Sequence, residues 1–299
     1  MRNAADHTLP QTVKSSKPKL RPKIGAHCKG GLKGAVEQAL AIGAQSMQIF
    51  IGSPQTWRSP TPAIDELENF KRDVKKHKLG PVFVHGNYLV NLASSSRENL
   101  QKSVLNLHTA LRLSDMAGAE GLIFHPGSVG QDSFSDGMVR FLAALSVVLK
   151  DYNGNCRLLM EVCAGQGKTI GDKFSDLSSI LEDMNFDERL GVCWDTCHLF
   201  NAGYDVSTEA GLEKTIDEFE KLIGFKWLAA VHANDSKTPF ASRKDRHENI
   251  GCGYIGEEAF ARMLHQKELR HLPWILEVPG FEDKGPDKEN IQILHRLAS

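Results

Sequence analysis

The stretch Leu190–Asp205, LGVCWDTCHLFNAGYD, opens as an apolar run with the β-branched and aromatic character of a buried strand, then stops at Asp195. His198 follows three residues later. A carboxylate and an imidazole at the end of a buried strand, before a glycine-containing turn, suit a metal ion. Equally, Asp195 could cap a following helix and His198 could pack. Recurrence separates the two readings. Apolar runs also end at His85 and His125, carry Glu161, and lead to His232 and Glu277. The principal positions stand 40, 36, 34, 37 and 45 residues apart, each the length of one strand–helix unit. Six consecutive strands ending in His, Asp or Glu would be costly if those groups were buried unpaired. The segment Arg243–Gly256, RKDRHENIGCGYIG, adds Asp245 and His247, which project to one side of an extended loop.

Five His, two Asp and two Glu without thiolate are a donor set for Zn²⁺, Mn²⁺ or Fe²⁺ at a catalytic site. Nine ligands exceed what one tetrahedral ion uses. Three ions with about three protein ligands each leave positions open for water and substrate. Clustered ions of that kind serve phosphoryl chemistry: they polarise phosphate oxygens, bring the pKa of a bound water toward neutrality and stabilise the leaving oxygen. Three dications against four carboxylates leave a locally cationic mouth, which fits an anionic substrate.

The elements that must position these groups follow from periodicity. Short apolar runs occur at Lys23–His27, Ala44–Ile51, Pro81–His85, Gly121–His125, Arg157–Val162, Leu190–Asp195, Trp227–His232 and Pro273–Val278. Helical patterns lie between them at Ile64–Lys78, Arg97–Ala117, Asp136–Lys150, Glu209–Ile223 and Glu257–Gln266. The clearest is Arg97–Ala117, with Leu100, Val104, Leu107 and Leu111 on one face and Gly118 as its stop. Strands apolar throughout, each followed by a helix, predict a parallel sheet covered on its faces. Eight such units predict an α/β fold of the closed (β/α)8 TIM-barrel type, whose strand C-termini ring one mouth and bring the metal ligands together there. A doubly wound open sheet is the alternative, but no Gly-rich dinucleotide turn follows the first strand.

Composition sets the outer limits. The chain has 299 residues, 41% hydrophobic and 24% charged, with a net charge of −1, which argues against a purely electrostatic nucleic-acid binder. Residues 1–21 carry Arg2, Lys14, Lys17, Lys19 and Arg21 against Asp6 and read as a flexible basic tail; 22–299 read as a single barrel domain. No membrane-length apolar run or signal-peptide core appears, so a cytoplasmic protein without a membrane partner is expected, as a monomer. The six cysteines form no paired framework and read as reduced core thiols.

Several features are decoys. GQGKT (165–169) would be a phosphate loop only with Gly at the position of Val162. His27 reads as either a support to the ligands or a packed core residue. His77, His108, His265 and His295 fall in helical patterns and read as surface or packing groups, and Trp57 as a loop anchor.

Seven stretches, VHGNYLVNLAS (84–94), FHPGS (124–128), EVCAGQG (161–167), DTCHLFNAGYD (195–205), HANDSK (232–237), DRHENIG (245–251) and LEVPG (276–280), together resemble the endonuclease IV family, over roughly 22–297. Those enzymes are zinc-dependent apurinic/apyrimidinic endonucleases of base-excision repair. The resemblance implies a TIM barrel with three zinc ions, manganese being the alternative occupant of one site. His85 and His125 would hold the first ion, and Glu161 would bridge it to the second. Asp195, His232 and Glu277 would complete the second, and His198, Asp245 and His247 would hold the third. Glu161 and Glu277 take the catalytic places. The implied reaction cuts the phosphodiester 5′ to an abasic site in double-stranded DNA through a metal-bound hydroxide, leaving a 3′-hydroxyl, and trims blocked 3′ ends. Tyr88 and Leu89 match the family's wedge into the DNA stack.

The chain departs from the family pattern in places. GAHCKGGL (25–32) is a shortened first loop. HGNY stands for H-A-P-Y or H-D-S-Y, and EVCAGQG for E-N-T-A-G-Q-G. In GSPQTWR (52–58), Gln55 replaces a commonly inserted Arg, a role that Arg58 would share. One rival is a single-metal sugar isomerase or epimerase using Glu161, Asp195, His232 and Glu277, which leaves the other five ligands idle. The other is a lesion-binding protein without catalysis, which predicts a degraded ligand set, whereas all nine positions are filled.

Overall fold

The structure, a computed structural model, describes residues 21–299. The basic tail expected over 1–21 therefore lies, Arg21 apart, outside the described residues. The elements in chain order are β1 (Lys23–His27), α1 (Gly31–Ile42), β2 (Ser46–Ile49), α2 (Ile64–Lys76), β3 (Val82–His85), α3 (Arg97–Met116), β4 (Gly121–Phe124) and α4 (Phe134–Leu149). Next come β5 (Arg157–Glu161), α5 (Phe174–Asp183), β6 (Leu190–Asp195), α6 (Thr196–Ala202), α7 (Glu209–Leu222) and β7 (Leu228–Ala233). The chain ends with β8 (Asp235–Ser236), β9 (His247–Glu248), α8 (Glu257–His265), β10 (Pro273–Leu276) and α9 (Lys288–Leu297).

Eight strands close into a barrel in the order β1-β10-β7-β6-β5-β4-β3-β2, every neighbour parallel, so the expected (β/α)8 architecture holds and the open sheet does not. The short strands β8 and β9 pair antiparallel and turn the long loop after β7 back over the mouth. Several strands are shorter than their apolar runs: β2 begins at Ser46 rather than Ala44 and ends at Ile49 rather than Ile51, because the flanking residues turn with the loops.

The helices begin where their sequences dictate. Ser96, Ser133, Thr208 and Asp287 each accept the N–H three residues on, satisfying a donor the first turn leaves unpaired. Arg97–Met116 ends where Gly118 takes φ +74°, the left-handed conformation glycine adopts without a Cβ clash. No described helix is long and apolar enough to cross a membrane. All six cysteines are free and five are buried; Cys252 alone is exposed and departs from the expected core placement.

The barrel interior explains why the ligands sit where they do. Phe83, Ile123, Leu159, Cys193, Ala230 and Ile275 form an apolar cluster inside the barrel, separate from the larger core between strands and helices. Each lies two residues before His85, His125, Glu161, Asp195, His232 or Glu277 respectively. Side chains of a strand alternate between faces, so each candidate ligand stands on the same inward face, one step nearer the mouth. Gly121 and Gly191 make room for Leu159, whose methyl carbons lie 2.5 and 2.6 Å from where a Cβ on either would sit. A dry floor thus lies under a polar layer.

Candidate metal centre

The nine expected ligands converge in three sets. His85, His125 and Glu161 offer atoms within 4.8 Å of one another, as do Glu161, Asp195, His232 and Glu277, and as do His198, Asp245 and His247. Glu161 belongs to two sets. Its Oε2 lies 3.1 Å from His85 Nε2 and 3.0 Å from His125 Nε2, while its Oε1 lies 3.0 Å from His232 Nδ1 and 3.3 Å from His198 Nδ1. Asp245 Oδ1 stands 3.2 Å from His198 Nε2 and 3.1 Å from His247 Nε2.

Two observations show that these residues fit metal ions. First, three of the five imidazoles are oriented from behind. His85 Nδ1–H donates to Gly86 C=O at 2.8 Å, His198 Nδ1–H to Val162 C=O at 2.9 Å, and His232 Nε2–H to Gln48 Oε1 at 2.8 Å. Each ring spends one N–H outward and turns its other nitrogen into the centre, as metal-bound histidines do. Second, Nε2 of both His198 and His247 is buried without a hydrogen-bond partner; Asp245 Oδ1 is near each but out of line for an N–H. A buried nitrogen without a partner in the protein calls for one from outside the chain, and a metal ion meets that need.

Charge points the same way. Burial alone would raise the pKa of Glu161, but His232 and His125 hold it well below the usual carboxylate range. Burial likewise opposes ionisation of Glu277, and His232 overrides it downward. At His247, burial pulls the pKa down and the Asp195 and Asp245 carboxylates push it up to about 9; the same two acids raise His198. The carboxylates require positive charge among them. Protons on the imidazoles can supply it, and dications displace those protons when they bind.

Asp195 does both things its sequence position allows. Its Oδ1 accepts the His198 N–H at 2.9 Å and caps α6, while its Oδ2 faces the cluster, 3.8 Å from His232 Nδ1 and 3.6 Å from His247 Nε2. Capping is thus what aims His198.

Some supporting residues are not identified by sequence reasoning. Gln48 on β2 donates from Nε2 to Glu277 Oε1 at 2.6 Å and to His27 Nδ1 at 2.9 Å. His27 is therefore a supporting residue rather than a packed one. Asn234 donates to Asp195 Oδ2 at 2.6 Å and accepts the Glu277 N–H at 2.9 Å. Arg243 donates to Gly165 C=O at 2.8 Å and to the buried Asp172 at 2.6 Å, tying the loop that carries Asp245 and His247 to the loop after β5. The available signal is a polar residue inside an apolar strand, as Gln48 is.

Above the cluster, Tyr88 and Leu89 are 53% and 39% exposed, and the Tyr88 ring packs edge-on against Phe50 at 5.4 Å. Gln55 and Arg58 lie on the adjacent loop, both exposed, while Trp57 packs on the core as a loop anchor. Asn87 joins the two loops, donating to the carbonyls of Thr56 at 2.5 Å and Ser53 at 3.4 Å. A cleft of about 690 Å³ opens beside them, lined by His27, Lys29, Tyr88, His247 and Glu277 among others.

Comparison with known proteins agrees with this architecture. A family model described as xylose isomerase-like TIM barrel matches residues 36–297. The chain is 36% identical over 276 residues to a probable endonuclease 4 of Halothermothrix orenii, covering 92% of this chain and 99% of that one. It is 37% identical over 281 residues to the Thermotoga maritima counterpart, covering 92% and 98%. Among solved structures, endonuclease IV from Thermus thermophilus superposes with a TM-score of 0.81 at 31% identity, covering 92% of this chain and 98% of that one. A D-tagatose 3-epimerase-like protein reaches 0.70 at 18% identity, covering 92% and 96%, and shares the fold.

Proposed function

Because the chain belongs to the endonuclease IV family, within the xylose isomerase-like TIM barrels, we propose that it is an apurinic/apyrimidinic endonuclease of DNA repair. It hydrolyses the phosphodiester 5′ to an abasic site in duplex DNA and trims blocked 3′ ends. The observation that carries this reading is the third ligand set, His198, Asp245 and His247, added to the four residues with which a single-metal isomerase would be content.

In this reading His85, His125 and Glu161 hold one divalent cation, Glu161, Asp195, His232 and Glu277 a second, and His198, Asp245 and His247 a third. Zinc suits the donor set, and manganese could replace it at one site. Bound there, the ions polarise phosphate oxygens, acidify water and offset charge on the leaving oxygen. Glu161, with one oxygen toward each of two sets, fixes the spacing between them. Glu277 is the carboxylate of the cluster that reaches the cleft, so it is placed to orient an attacking water by accepting its hydrogen bond. Tyr88 and Leu89 fill the gap left by a missing base, where the cost of unstacking is least. Gln55 and Arg58, held beside them through Asn87, contact the flanking duplex.

The test is incubation of the zinc-loaded protein with a duplex bearing a single abasic analogue. A nick on the 5′ side with a 3′-hydroxyl terminus is expected. A duplex left intact by fully metallated protein overturns the reading.

A further inference from the structure

The cleft beside the cluster has one feature the ligand sets do not use. Lys29, in the shortened loop after β1, lines the same cleft as His247 and Glu277. Its Nζ donates to one backbone carbonyl, Lys284 C=O at 2.6 Å, and forms no ion pair among the described residues. The tether holds the ammonium against the loop after β10, with its Cε and Nζ each 3.2 Å from where a Gly285 Cβ would sit. Two N–H donors stay free. Gly30 and Gly31, next in the loop, leave that stretch of the cleft wall without side chains.

We propose that Lys29 forms a phosphate subsite, contacting a DNA backbone phosphate that flanks the one at the metal cluster. The proposal rests on the nuclease reading above and extends it to a specific residue. An ammonium held in a preset place, without a carboxylate to neutralise it, is matched to a phosphodiester oxygen rather than to a base edge. Its contribution is therefore indifferent to sequence and to the lesion. It also releases a counterion on binding and so appears in the salt dependence. Beside the candidate ligands His247 and Glu277, on a cleft wall that also carries Asp283, it gives the strand a second point of attachment and sets its direction across the cluster.

The test measures binding of zinc-loaded protein to a duplex with an abasic analogue and a non-hydrolysable linkage, over a range of salt. Lys29→Ala should lower the slope of log affinity against log salt by about 1 and weaken abasic and intact duplex alike. Lys29→Arg should keep the parent slope. Lys33→Ala, off the cleft and paired with Glu66, should leave it unchanged as well. Loss of the tether to Lys284 by itself would lower thermal stability without moving the slope. A Lys29→Ala slope equal to that of a parent that does bind overturns the subsite and leaves the nuclease reading intact. A parent that binds neither duplex overturns both.

Discussion

Single residues here carry paired duties, and the pairing makes them testable. Glu161 is buried at the junction of two ligand sets, with each oxygen committed to a different one. Glu161→Gln keeps the shape and removes the charge. Hydrolysis of abasic duplex should fall on the order of 10²-fold or more, the scale of losing a group that faces developing charge, while the circular dichroism of the barrel is unchanged. Turnover near the parent's at saturating substrate would end its proposed bridging role. Tyr88 and Leu89 are exposed, unlike His85, the candidate ligand they follow. Replacing both with Ala should abolish most of the preference for abasic over intact duplex and leave metal content as in the parent. A preference that survives full replacement would mean that another group senses the gap. Seven of the nine ligand positions are legible in the sequence because each ends or follows an apolar run, and Asp245 and His247 because their two-residue spacing puts them on one side of an extended loop. Gln48 and Asn234 are not, because an uncharged amide in such a run gives no sign of where its two ends point until Glu277, His232 and Asp195 are placed around it.

At the scale of elements, the eight strands are legible because each is a short, continuous apolar run, and the period of two fixes which residues look inward. Helices are read where an apolar stripe repeats clearly, as in Arg97–Met116. The short α6 is concealed because its first residues are the ligand stretch itself, and α1 because it opens on Gly30 and Gly31, which lack helix-forming character. The loop after β7 is the least legible element. Its course depends on contacts distant in sequence: Asp235 accepts the N–H groups of Gly251 and Ile255 at 2.9 Å, and Arg243 reaches back to Asp172 across 71 residues. Asp172→Ala should release Arg243 and loosen Asp245 and His247 together. One metal per chain should then be lost to a chelator about 10–100-fold more readily, the usual cost of removing an outer support, while the other two are retained. Equal loss of all three would mean that the latch stabilises the barrel in general rather than that loop.

For the whole molecule, the floor and the mouth are separable. The inner layer of Phe83, Ile123, Leu159, Cys193, Ala230 and Ile275 packs as its own buried apolar cluster beneath the polar layer. That upper layer concentrates buried carboxylates and imidazoles that favour a cation. Chelation should therefore leave the secondary structure in place and lower the melting temperature; ions held at 100 times their dissociation constant contribute about 2.7 kcal/mol per site. Loss of the barrel's circular dichroism on chelation would show that the cluster, not the floor, holds the fold. The fold neighbours include an epimerase-like protein at 18% identity, so the barrel by itself does not choose between sugar and phosphodiester chemistry. The number of ions the mouth holds would separate the two.

The most direct measurement is accordingly a metal count per chain, made on the parent and on Asp245→Ala, with nicking of abasic duplex assayed on the same preparations. Three ions are expected in the parent and two in the variant, with cleavage strongly reduced, because His198 and His247 alone hold an ion weakly on a partly open site. One ion per chain in both proteins, with cleavage unaffected by the substitution, would contradict the three-set reading of the mouth.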